Sequence, residues 1–133
     1  MTRRWRRASP YLLAGLLTVS GSSHFIATDS YAAIVPPWLP APRELVYASG
    51  LAELACAAGL LLPPTRRAAG WATAALFVAV FPANVQMALD RAGHTTTYAL
   101  LVLARVPVQL PLIWWAVTVA TRRRQPGYRS GHD

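Results

Sequence analysis

Residues 68–89 read AAGWATAALFVAVFPANVQMAL, a run of 22 residues without a charged side chain. Coiled as an α-helix at 1.5 Å per residue, it spans about 33 Å, enough to cross the hydrocarbon core of a bilayer. A barrel strand would alternate apolar and polar residues over about ten positions, whereas here apolar residues follow one another from Ala74 to Phe81. Irregular backbone in lipid would leave N–H and C=O groups unpaired. The run therefore reads as a membrane helix.

Three other stretches read the same way, at about 11–27, 45–62 and 98–121. The expected fold is an all-α membrane protein: one transmembrane domain over 1–133, built as a four-transmembrane-helix bundle with a Pro-rich first external loop. The composition agrees, with 54% apolar residues and only 14% charged among 133, against about a quarter charged in soluble domains.

The net charge of +8 comes from 13 arginines and no lysine. Such a balance raises nucleic-acid binding, but the arginines do not converge on one face. They stand at the ends of the apolar runs, at Arg3–Arg7, Arg66–Arg67 and Arg122–Arg124, so no nucleic-acid partner is expected. Orientation follows from the same positions, because cytoplasmic loops are enriched in basic residues. Ten arginines fall on one side of a four-span arrangement, against Arg43 and Arg91 on the other, with Arg105 inside the fourth span. This predicts N-in/C-in topology in a bacterial cytoplasmic membrane. Arg3–Arg7 before an apolar run resembles a signal peptide, but cleavage would remove one helix of the bundle, and a retained signal-anchor is expected.

Local signals mark the ends of the spans. Ser9-Pro10 resembles an N-cap followed by proline at the first helical position. Pro63-Pro64 stops the second span in a tight turn. In the loop Asp29–Pro42, Pro36, Pro37, Pro40 and Pro42 around Trp38 disfavour a regular helix and favour a stiff, extended segment. Tyr31, Trp38 and Tyr47 suit the headgroup layer. Cys56 is the sole cysteine, which excludes an internal disulfide and a CxxC pair, and it reads as a small packing residue.

Polar residues within the spans carry the functional argument, since charges there are costly and face bundle interiors. Glu53 lies about eight residues, or ~12 Å, from the external end of its span, and Arg105 about seven residues, or ~11 Å. The matching depths predict a Glu53–Arg105 ion pair. The face of Glu53 carries Ser49, Gly50, Cys56 and Ala57, small residues that let membrane helices approach closely. Gln109 shares the face of Arg105, His24 follows Ser20 and Gly21, and Asn84 falls in the same external half. Gln86, two residues from Asn84, cannot share its face, so one of the two points toward the headgroups or another helix edge. The candidate site is thus His24, Glu53, Asn84, Arg105 and Gln109. Pro82, Pro107 and Pro111 each remove a backbone donor nearby, and Arg105 is a candidate donor for the carbonyls they free. Three readings stay open: a hydrogen-bond network that fixes packing, a small-molecule or quinone-headgroup site, and an ion or proton pathway.

The runs Gly21-Ser22-Ser23-His24-Phe25, Ile34-Val35-Pro36, Leu39-Pro40, Ser49-Gly50-Leu51-Ala52-Glu53-Leu54, Gly59-Leu60-Leu61, Phe81-Pro82-Ala83-Asn84 and Arg105-Val106-Pro107-Val108-Gln109 resemble the DoxX-like membrane proteins. The resemblance extends from about Leu12 to Trp115. It implies a four-helix membrane bundle and, loosely, an accessory subunit of a membrane redox or oxidative-stress system, with a quinone as the associated cofactor. The chain has no cysteine pair, haem-ligand pair or cluster motif to carry electrons itself, so a partner protein is implied; the lipid bilayer and further copies of the chain are its other expected partners. No catalytic or metal-ligating residue is assigned. The alternative is a small transporter, which four spans and a membrane glutamate also suit. A Glu53 neutralised by Arg105 ranks that second. An enzyme using His24, Glu53 and Arg105 in acid–base work ranks third.

Overall fold

The computed structural model describes residues 2–90, 93 and 95–122. Arg91, Arg123, Arg124 and Arg129, which count in the charge asymmetry, lie outside the described residues, as do His94 and His132. Among the described residues the chain is wholly helical, with no strand: α1 (Arg3–Ile26), α2 (Thr28–Ala32), α3 (Pro42–Leu61), α4 (Arg66–Leu89) and α5 (Thr96–Thr121). Three of these helices are long and apolar enough to cross a membrane: Pro42–Leu61, Arg66–Leu89 and, within α5, Val102–Thr121. Although α1 has 24 residues, four arginines in its first two turns and a run of serines near its end dilute its apolar character.

The long helices pack as two pairs, α1 with α3 and α4 with α5, joined chiefly through α3 and α4. One buried core runs through all four, including Leu13, Leu17, Cys56, Leu60, Phe77 and Val119. Close approach within the pairs depends on missing side chains. A Cβ on Gly21 would lie 2.9 Å from the Gly50 carbonyl oxygen and 3.1 Å from Cβ of Glu53. A Cβ on Gly50 would lie 2.8 Å from Cβ of His24. Gly70 meets the backbone of Ala120 just as tightly, at 2.9 Å.

The turn at Pro63-Pro64 is where the sequence puts it, and its hydrogen bonding explains how the break is tolerated. Prolines at 63 and 64 cannot donate to the carbonyls four residues back, those of Gly59 and Leu60. Thr65 Oγ1 donates to Gly59 O at 2.8 Å and Arg66 Nε to Leu60 O at 2.8 Å, so both orphaned carbonyls are answered. Arg66 also lies over the Tyr11 ring, 5.1 Å from its centroid.

Two local expectations fail, each for a tertiary reason. Ser9-Pro10 does not start a helix; α1 begins at Arg3, with Pro10 inside it. Proline at 10 leaves the Arg6 carbonyl without its donor, and Arg122 Nη1 supplies one at 2.8 Å. Burial and the neighbouring Arg6 cation push the Arg122 guanidinium below its ordinary value. Ser9 is fully buried and accepts from Trp115 Nε1 at 2.8 Å. The loop from Asp29 is also not wholly extended. Its first residues form α2, because the prolines begin only at Pro36, and the exposed Arg43–Asp29 pair fastens α2 to the start of α3.

Gly50→Val is expected to lower stability by about 2 kcal/mol through overpacking against α1. Gly15→Ala, where an added Cβ meets nothing within 4 Å, is expected to be neutral or to gain up to about 1 kcal/mol. Thermal denaturation of both variants in one detergent checks the pair.

Candidate functional site

All five candidate residues line one cleft of about 640 Å³ between the two helix pairs. It occupies the half of the bundle remote from the arginine-rich end, where α1 and α5 are held together by Ser9–Trp115, Arg6–Arg122 and the stacked rings of Trp5 and Trp115. Most of the lining is apolar, with Leu17, Val46, Phe77 and Leu112 among it. Its size and its few polar groups on apolar walls are those of small-molecule sites.

The expected Glu53–Arg105 pair does not form. Glu53, 6% exposed, turns to α1, where its Oε1 lies 3.6 Å from Nε2 of the equally buried His24. The reciprocal glycine contact between α1 and α3 brings these two side chains together, whereas matching depth alone left the partner undetermined. Arg105 is exposed and makes no ion pair or hydrogen bond among the described residues, and so it does not answer the carbonyls freed by the prolines. It stands between the main cleft and a smaller one of about 270 Å³ lined by Ser30, Tyr31, Ile34 and Met87.

Hydrogen-bond direction on each wall is fixed by a backbone carbonyl, which can only accept. On the α1/α3 wall, His24 Nδ1 lies 3.2 Å from Val46 O, so Nδ1 carries a proton and donates it. Nε2 then faces Glu53 Oε1 at 3.6 Å, a close approach of two ionisable groups that is longer than a hydrogen bond. On the α4/α5 wall, Gln109 Nε2 donates to Phe77 O at 2.6 Å, which turns Gln109 Oε1 toward Asn84. Asn84 Nδ2 donates to that oxygen at 3.1 Å, leaving Asn84 Oδ1 as an acceptor. Of Asn84 and Gln86 it is Gln86 that points away, donating to Asp90 at 2.8 Å.

Two further features escaped the sequence. Tyr31, expected at the headgroups, turns inward: its ring lies 4.2 Å from that of His24. Its hydroxyl lies 2.6 Å from Ser23 Oγ. Ser23 spends its own proton on Ser20 O, so Tyr31 is the donor of that bond. Ser49 Oγ and Glu53 Oε2 are buried with no hydrogen-bond partner, and both residues line the cleft. Their spacing of four on α3 placed them on one face, but only the packed structure reveals that these two atoms have no hydrogen-bond partner among the described residues.

His24→Leu leaves the Glu53 carboxyl buried without its partner and is expected to cost about 3 kcal/mol. Arg105→Gln removes no contact and is expected to stay within about 0.5 kcal/mol of the parent. Denaturation midpoints in one detergent decide this, and the reverse order would restore Arg105 as the partner of Glu53.

Neither the curated proteins nor the solved structures include a match to this chain. A family model matches residues 13–120, from the first buried leucine of α1 almost to the end of α5. The chain belongs to that family, described as a domain of unknown function (DUF8561).

Proposed function

We propose that this chain is a four-span protein of the bacterial cytoplasmic membrane, with both termini on the cytoplasmic side, and that its cleft holds the head of a lipid-soluble small molecule. The outward surface supports the membrane placement. Leu51, Val78, Leu89, Leu100, Leu110 and Trp114 are exposed, and at most a third of each apolar window is buried inside the bundle. Soluble monomers do not carry so large an apolar shell. Helix α1 presents the same kind of surface through Leu12, Leu16, Val19 and the 85% exposed Ile26, which supports counting it as the fourth span.

One observation carries the ligand reading: two hydrogen-bonded walls, each anchored on a backbone carbonyl, face a cleft in an otherwise apolar bundle. A network that served packing alone would be expected to close on itself. The role in the cell is that of an accessory subunit in a membrane redox or stress-response system, acting beside a partner protein rather than as an enzyme alone. The DoxX-like resemblance supports this role, with a quinone as the ligand class it brings.

Small-molecule transport is the second reading, and one observation favours it. Glu53 faces a histidine rather than a permanent arginine cation, and acidic residues and histidines inside membrane spans mark proton and ion pathways. Proton-driven uptake in proteoliposomes would raise this reading above the first.

A fluorescent protein fused after Asp133 is expected to fluoresce, and alkaline phosphatase inserted between Val35 and Leu39 to be active, as cytoplasmic and external positions require. The converse pattern would reverse the topology. Protein purified in mild detergent is expected to release a lipid-soluble compound on extraction, and Ala52→Trp, which fills the cleft, to release none. Equal amounts from both proteins would place the compound elsewhere.

A further inference from the structure

The cleft makes a specific demand on whatever enters it. Glu53 Oε2 is buried and without a partner, in a residue 94% removed from the surface. As a carboxylate oxygen, or as the carbonyl oxygen of a carboxylic acid, Oε2 offers only lone pairs. Across the cleft the other wall leaves Asn84 Oδ1, again an acceptor. Ser49 Oγ, one helical turn from Glu53 on the same face, is likewise buried without a partner and has a proton to give. The wall at α3 therefore lacks one donor, for Glu53, and one acceptor, for Ser49. A single hydroxyl group supplies both.

The charges exclude the ionic alternatives. Arg105 lines the same cleft as a permanent cation with no ion pair among the described residues, which opposes an ammonium ligand. A carboxylate ligand would set its oxygens against Glu53 Oε2. A carbonyl compound, the oxidised quinone included, has an acceptor for Ser49 but no donor for Glu53, so within the quinone class only the hydroxyl-bearing quinol fits. We propose that the cleft selects an uncharged, lipophilic molecule bearing a hydroxyl group, which donates to Glu53 Oε2 and accepts from Ser49 Oγ while its apolar body lies along Leu17, Phe77 and Leu112. This names the ligand class of the site described above and rests on the reading that the cleft binds a small molecule.

Three probes matched in size test it on the full chain in lipid nanodiscs: 4-nonylphenol, its methyl ether 4-nonylanisole, and nonylamine. The phenol is expected to bind at least about tenfold tighter than the ether, because sites built to pair a hydroxyl reject analogues that lack it. Glu53→Leu, which removes the acceptor, is expected to weaken the phenol at least about tenfold and to leave the ether unchanged, because a hydrogen bond to a buried acidic group is lost. Ser49→Ala is expected to weaken the phenol by about fivefold, the worth of one neutral hydrogen bond, and to leave the ether unchanged. Folded yield and helical signal are compared for every variant. Equal affinity for phenol and ether would overturn the hydroxyl inference while leaving a lipophile-binding cleft. Preference for nonylamine, lost in Glu53→Gln, would overturn it in favour of a cation site. Failure of all three probes to bind the parent would overturn both this inference and the cleft reading beneath it.

Discussion

Helices α1 and α3 cross with Gly21 against Glu53 and Gly50 against His24. Each glycine makes room for the ionisable residue of the opposite helix, and each stands three positions before the ionisable residue of its own. Any side chain at 21 or 50 would push the helices apart, because the contacts are already at or below the closest approach of a real Cβ. The approach of His24 to Glu53, the unpartnered Oε2 and the floor of the cleft all follow from that crossing. In lipid, where no hydrophobic force draws helices together, such close backbone contact is a principal source of association.

A second constraint runs through the molecule. Prolines interrupt the helices or end them, and each withdraws a donor from a carbonyl four residues earlier. At the tight turn, Thr65 and Arg66 answer from nearby in sequence; in α1, Arg122 answers from the far end of the chain. The carbonyl of Phe77, next to the one that Pro82 leaves free, anchors Gln109. Side-chain donors thus answer the orphaned carbonyls at the turn and in α1, while in the cleft Gln109 bonds a carbonyl beside the orphaned one.

This division explains what the sequence disclosed. The apolar runs, the break at Pro63-Pro64 and the shared level of His24, Glu53, Asn84 and Gln109 depend on helix period and length, which are local properties. The partner of Glu53 was not legible, because period gives face and depth but not which neighbour lies across a given face. Arg105 matched in depth and was chosen for its charge; His24 won through the glycine spacing, a signal present in the sequence at Gly21 and Gly50. Ser9-Pro10 misled for the same kind of reason, since its true partners, Trp115 and Arg122, come more than a hundred residues later. Tyr31 carried no sign of its inward turn, which depends on the geometry of α2.

The bond from Arg122 to the Arg6 carbonyl bears on the order of events during synthesis. Chains emerge and fold from the N-terminus, so α1 is made long before the residues that complete its first turns. Until α5 follows, water at the membrane surface has to serve the Arg6 carbonyl and the Ser9 hydroxyl. Helix α1 is then finished only after α5, and a ribosome that stops short of residue 122 leaves both helices incomplete.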